Sequence, residues 1–166
     1  MFDGCVLGVD PGLASAGLAS VGPDSGQLSV LWAETVRTPS GLAEEKRLRK
    51  VYGAVREAIS DHRPAAVAVE RLMWGKNVGS AMAVARASGV ILLAAADAGV
   101  PIHEYAPLEV KMAATGVGNA GKADVRRSLS RLHGVHGIPT DPDAADAAAI
   151  AFCHLQQSRL REAAAR

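Results

Sequence analysis

The chain has 166 residues, enough for one compact domain of ordinary size. Hydrophobic residues make up 49% of it, which excludes a disordered tail protein, and Gly, Asp or Arg interrupts every apolar run before the about 18 residues that a membrane span needs. The 18 Lys and Arg nearly balance the 17 Asp and Glu, so a formal net charge of +1 points neither toward nor away from a nucleic-acid partner.

The opening Met1-Phe2-Asp3-Gly4 lacks the basic stretch of a signal peptide. The two cysteines, Cys5 and Cys153, lie far apart in apolar runs, read as small buried hydrophobes and fit a reducing, cytoplasmic setting. His133 and His136 have a metal-like spacing, but a Gly-rich context without a nearby Cys argues against zinc.

The first 37 residues read as β structure. An apolar run over 5–9 is closed by Asp10-Pro11-Gly12, and a second strand is expected over 14–21. Residues 22–26 are dense in turn formers. A third strand over 28–36 alternates in part, with Leu28, Val30 and Trp32 on one face. Ser40 can cap a helix over 41–62, whose apolar face is Leu48, Val51, Tyr52, Val55 and Ile59, and Pro64 ends it. A strand over 66–70 and a small-residue helix over 77–97, stopped by Gly99, follow. A strand is expected over 102–105. Pro107 opens a short helix into the Gly-rich turn 116–121, and further helices are expected over 122–132 and 143–161. A meander followed by alternating helices and strands predicts an α/β domain with a mixed sheet and helices on both faces. It spans 1–166 as one unit, with residues 162–166 frayed.

Most acids lie among bases on solvated helix faces, but four do not. Asp10 ends the first strand, Glu70 ends the fourth, and Asp143 and Asp146 open the last helix one turn apart. If the first and fourth strands are parallel neighbours, Asp10 and Glu70 stand side by side at the sheet edge where α/β proteins bind ligands. A cluster of four acids raises its own pKa values unless cations compensate it, and magnesium prefers such oxygen ligands. Taken singly, each acid has a plainer reading: Asp10-Pro11-Gly12 as a turn, Glu70 as a solvated strand end, Asp143 and Asp146 as acids complementing a helix dipole. The stretch from Gly116 to Gly121-Lys122 nearly completes a phosphate-binding loop. Ala123 replaces the Ser or Thr that such a loop needs, and 111–115 reads as helix rather than strand.

Leu7-Gly8-Val9-Asp10-Pro11-Gly12, then Val67-Ala68-Val69-Glu70, then Lys76-Asn77, then Asp143-Ala144-Ala145-Asp146-Ala147 stand in an order and spacing that resemble the RuvC family of Holliday junction endonucleases. Gly89-Val90, Tyr105-Ala106 and Val110-Lys111 also fit, and the similarity covers roughly residues 5–155. The resemblance implies an RNase H-like fold: a five-stranded mixed sheet, antiparallel in strands 1–3, with strands 4 and 5 parallel to strand 1. It implies a homodimer that nicks two opposed strands of four-way junction DNA, leaving 5′-phosphate and 3′-hydroxyl ends, with RuvA and RuvB as branch-migration partners. Asp10, Glu70, Asp143 and Asp146 are then the catalytic acids, holding two Mg²⁺ ions with Mn²⁺ as a substitute, and Asp143 is the position that varies to His. Lys111 and Lys122 correspond to bases near the active site that hold the phosphate.

Met73, Trp74, Lys76, Asn77, Lys111, Lys122 and Arg126 are the expected DNA contacts. The chain departs from the family where a bulky aromatic often stands three residues after the Glu: Met73 holds that place and Trp74 follows. Either side chain can stack on or wedge between bases, or Trp74 can simply pack on the adjacent helix. Gly79, Ala83 and Ala87, four apart, admit a closely packed helix, either from the same chain or from a partner across a dimer interface. Another nuclease of the same fold, such as one cutting RNA–DNA hybrids, and a junction-binding protein without catalysis share much of this pattern. The chain is too short for a two-domain sugar or acetate kinase of the actin-like fold. Setting the four acids aside leaves 18 bases against 13 acids, and residues 71–136 carry eight bases against four acids, a basic surround for an acidic centre.

Overall fold

The structure, a computed structural model, describes residues 4–72 and 78–164, with side chains omitted at 78, 80 and 159–164. In chain order the elements are β1 (Val6–Asp10), β2 (Ser15–Asp24), β3 (Gln27–Arg37), α1 (Glu44–His62), β4 (Ala66–Glu70), α2 (Val78–Asp97), β5 (Ile102–Tyr105), α3 (Pro107–Thr115), α4 (Lys122–Arg131) and α5 (Pro142–Ala164). The sheet has the order β3-β2-β1-β4-β5. β1, β2 and β3 pair antiparallel, whereas β4 pairs parallel to β1, and β5 parallel to β4. This is the five-stranded mixed sheet expected.

Alternation along the strands divides the core in two. Leu7, Val9, Ala16, Leu18, Val67 and Val69 face α1 and α2, meeting Val51, Val55, Ile59, Ile91 and Ala94. Val6, Ala19, Val21 and Ala68 face the other way, toward α5 and the helices α3 and α4 beside it. Asp10 and Glu70 share the parity of Val6 and Ala68, so both carboxylates turn to the α5 side. α5 lies close on this face because β1 and β2 carry glycine beneath it. A Cβ on Gly8 would collide with the Ala147 carbonyl, and one on Gly17 with the Asp143 carbonyl.

Several local expectations are corrected. β2 runs on through Gly22 and Pro23 to Asp24, and the hairpin loop is only Ser25-Gly26, both at positive φ (49° and 83°). These dihedrals suit a two-residue turn that matches strand twist. Pro23 lies past Val21, the last β2 residue paired with β1, where β2 has a neighbour on one side only. The pairing of β2 with β3 shifts between Ser20 and Val21, so Leu31 of β3 is a bulge. Leu28 and Val30 therefore pack on the α5 side, whereas Trp32 turns to the α1 side and does not share their face.

Ser40 does not cap α1. It is used in a turn in which the Leu42 N–H donates to the Pro39 carbonyl (3.1 Å), and the helix begins at Glu44 after Ala43. α4 ends at Arg131, with Leu132 as its C-cap, and α5 continues past 161 to Ala164. The start of the 77–97 helix at Asn77 lies outside the described residues. Ala87 is fully buried, Ala83 is half-buried and Gly79 exposed, so the small-residue stripe packs in part within its own chain. Both cysteines are buried and free, and burial pushes the Cys153 thiol up to about 12. His133 Nε2 lies 2.9 Å from the Ala114 carbonyl oxygen, and its ring packs on Phe152.

Candidate active site

β1 and β4 run parallel with Val9 opposite Val69, so Asp10 and Glu70, one residue further on, close adjacent strands at the same sheet edge. α5 crosses above this edge. Its first turn follows Asp141, the side chain of which accepts from the backbone N–H of Asp143 (3.1 Å) and of Ala144 (3.4 Å). Pro142 opens the helix, where its missing N–H costs nothing. Asp146 then falls one turn inside the helix, over the strand ends. Asp10, Glu70 and Asp146 line one cavity of about 230 Å³, together with Lys111 from α3 and Lys122 from α4. The Lys122 ammonium donates to an Asp146 carboxylate oxygen.

The electrostatics are those of an acid cluster short of positive charge. Burial pushes the Asp10 carboxyl up to about 7, and the charges of Glu70 and Asp146 push the same way, against Lys122. Glu70 is raised by burial and then by Asp146, while Lys122 and Lys111 pull it down. Lys122 is raised above its ordinary value, first by its hydrogen bond to Asp146. Every acidic ligand here offers hard oxygen donors, so the donor set and its mutual repulsion fit a divalent cation of the magnesium type. Among the described residues no three acid, imidazole or thiol side chains converge on one point. Two carboxylates are engaged elsewhere: Asp146 by Lys122, and Asp143 by the Ser15 hydroxyl, which donates to its Oδ2.

The predicted residues are thus distributed as follows. Asp10, Glu70, Asp146, Lys111 and Lys122 come together. Asp143 stands beside them, close enough to act on Asp10 through its charge, but outside the cavity lining. Arg126 lies one turn beyond Lys122 on α4, at a separate surface cleft. Met73, Trp74, Lys76 and Asn77 lie outside the described residues. The turn from Gly116 to Gly121 follows helix α3, so 111–115 is helix rather than strand, as expected.

Sequence reasoning missed the residues that hold the acids in place. Ser15 at the start of β2 holds Asp143, and Thr35 and Arg37 of β3 donate to Asp141, tying the start of α5 to the sheet. Asp141 before Pro142 is a local helix-start pattern. Its partners lie 104 and 106 residues away in sequence, and no local pattern reports them.

Residues 6–154 match the family described as crossover junction endodeoxyribonuclease RuvC. The RuvC of Moorella thermoacetica is 43% identical over 157 residues, covering 95% of this chain and 94% of its own. The structure of T. thermophilus RuvC in complex with a Holliday junction substrate superposes with a TM-score of 0.86 at 34% identity, covering 94% of this chain and 95% of that one. The yeast mitochondrial Holliday junction resolvase shares the fold at 11% identity, with a TM-score of 0.69 over 95% of this chain and 80% of its own. A family match over nearly the whole chain, joined to acids gathered at the ends of β1 and β4 under α5, places this chain in the RuvC family of crossover junction endodeoxyribonucleases.

Proposed function

We propose that the chain cuts four-way DNA junctions by metal-dependent phosphodiester hydrolysis, with Asp10, Glu70, Asp143 and Asp146 as the acids that hold divalent cations. The observation that carries this reading is that Asp10, Glu70 and Asp146 line one cavity with two lysines, in a chain whose family is one of metal-dependent nucleases. Magnesium is the favoured ion, two per site, with manganese as a substitute. Bound there, such ions activate water for in-line attack and offset the charge developing on the leaving 3′ oxygen. The chain's own residues do the rest. Asp10, half-buried at the end of β1 beside Glu70, makes the two strand ends into one binding edge. Lys111 and Lys122 face the same cavity and pair with the non-bridging oxygens of the phosphate being cut. Products carry 5′-phosphate and 3′-hydroxyl ends.

A homodimer completes the reading, since two equivalent sites suit two opposed strands. The outer face of α2 supports it: Met82 and Leu93 are 47% and 53% exposed, with exposed Gly89 between them. RuvA and RuvB are the partners that family membership suggests. No helix of the described residues is long and apolar enough to cross a membrane.

The test is a cleavage assay on three labelled substrates, a four-way junction, a linear duplex and an RNA–DNA hybrid, with Mg²⁺ and with EDTA. Paired, ligatable nicks confined to the junction and dependent on Mg²⁺ are expected. Preferential cutting of the hybrid would identify a different nuclease of the same fold. Junction binding without nicking would leave a non-catalytic binder.

A further inference from the structure

We infer that the outer face of α4 is a second backbone-phosphate subsite, which takes the DNA strand next to the phosphate being cut and sets the direction in which that strand leaves the active site. This rests on the proposed junction cleavage and adds residues that it does not use. α4 buries Val125 and Leu129 and turns Lys122, Ala123, Arg127, Ser130 and Arg131 outward, with Arg126 half-buried among them. Lys122 reaches into the acid-lined cavity, whereas Ala123, Arg126, Arg127 and Ser130 line a neighbouring cleft of about 320 Å³ with Ile138. Positions four apart share a helix face and lie about 6 Å apart along the axis. The row Lys122, Arg126, Ser130 therefore steps away from the active site at a spacing comparable with that of successive phosphates on one strand.

The chemistry of the cleft suits a phosphodiester. Arg126 donates to a neutral group, the Thr140 carbonyl (3.5 Å), so its charge is not neutralised there. Arg127 pairs with Asp124 of its own helix (3.2 Å), both side chains more than half exposed, and such a pair is weak enough to be exchanged for phosphate. Two guanidinium forks recognise phosphate oxygens with defined geometry. Small Ala123 and Ser130 leave the floor open, and Ile138 offers an apolar wall to a deoxyribose. Arg126 stands one turn from Lys122 on the same helix, and that proximity to the active site favours DNA backbone over an unrelated anion.

The experiment measures junction binding by fluorescence anisotropy in EDTA across a salt series, for the wild type, an Arg126→Gln/Arg127→Gln variant and an Arg126→Lys variant. The double variant is expected to bind roughly threefold to tenfold more weakly. Its slope of log affinity against log salt should be shallower by about 1–2, because each phosphate contact contributes about 0.9. Arg126→Lys keeps the charge and should keep the slope. Junctions with single uncharged methylphosphonate linkages within two positions of the cut then locate the contact. One such linkage should weaken the wild type and add no further loss in the double variant. A wild-type slope in the double variant, or equal losses for both proteins at every position tested, overturns the subsite. The same wild-type preparation is assayed for Mg²⁺-dependent junction cleavage. Failure there overturns the proposed function, whereas cleavage together with an unaltered slope overturns only the α4 subsite.

Discussion

Asp10 is the acid whose surroundings most oppose its charge, and this has a consequence for the metal-free protein. Its pKa rises from 3.8 to about 7 through burial, Glu70 and Asp146. An acid with a folded pKa above its unfolded one opposes folding once it ionises. The penalty is absent below pH 3.8, grows between 3.8 and about 7, and is complete above that. Asp10→Asn should therefore stabilise the protein in EDTA at pH 8 by ~1–3 kcal/mol, with no gain at pH 4, while abolishing cleavage. Denaturant titrations at the two pH values check this, and equal stabilities at pH 8 would contradict it. Lys122 acts in the opposite sense. Its ammonium is the cation that Asp146 holds in the structure. Lys122→Gln should lower cleavage about 10²–10³-fold by removing a charge from the phosphate. It should also tighten Mn²⁺ binding in the absence of DNA, because a competing cation is gone. A titration of bound Mn²⁺ separates this from general damage to the site, which would weaken binding instead.

At the scale of the element, α5 is the part that must be placed accurately, since it brings two acids to a sheet edge made by other strands. Asp141 places it, capping the helix while Thr35 and Arg37 hold the cap to β3. Those hydrogen bonds, Thr35 first and Arg37 next, lower its pKa from 3.8 to about 2. The charged form thus adds stability above pH 3.8, and this is lost as pH falls through about 2. Asp141→Ala should lower the melting temperature by about 2–8 °C at pH 7 and raise the Mg²⁺ concentration needed for half-maximal cleavage. Asp141→Asn, which also caps, should recover most of the melting temperature, and its deficit should shrink as pH falls below 3.8. Gly8→Ala tests the other constraint. Its methyl would meet the Ala147 carbonyl and the Ala151 nitrogen, both helix backbone, so α5 must shift. A loss of about 3 kcal/mol or more, with cleavage reduced even where the protein is folded, is expected. The elements themselves were largely legible, because period-2 and period-3.6 patterns, Pro107, Gly99 and Gly116 are local signals. Trp32 was misplaced because a bulge at Leu31 is a pairing event between strands, invisible in either strand alone. Asp10, Glu70 and Asp146 were legible because each ends or opens an element beside a buried run. Ser15, Thr35 and Arg37 were not, since an ordinary polar residue on a strand becomes specific only through a distant partner.

For the whole molecule, the near-zero net charge conceals two regions of opposite sign, an acidic cavity and the basic row on α4 that begins at its rim. One copy presents one such pair, and a four-way junction cut on two opposed strands calls for two. In the proposed homodimer, α2 is the surface on which the second copy would sit. Its inner face buries Ala87, Ile91, Ala94 and Ala95, and Arg86 is tied to Glu44 of α1 (2.6 Å). Met82, Gly89 and Leu93 recur on the outer face at helical spacing, and among the described residues the two large apolar side chains stay about half exposed. In a twofold interface each substitution counts twice. Leu93→Glu should therefore weaken self-association at least about 100-fold, which sedimentation velocity reads as a shift to monomer at micromolar concentration. Because Leu93 is already half exposed, the fold should tolerate the change, and metal-dependent nicking chemistry should survive in the monomer. What should be lost is the pairing of nicks. Junctions cut by the variant should accumulate with a single incision, whereas the wild type should release two nicked duplexes from one encounter. A variant that still sediments as a dimer, or a monomer that still makes paired incisions, would remove α2 from the assembly and return the exposed stripe to the ordinary apolar surface of a single chain.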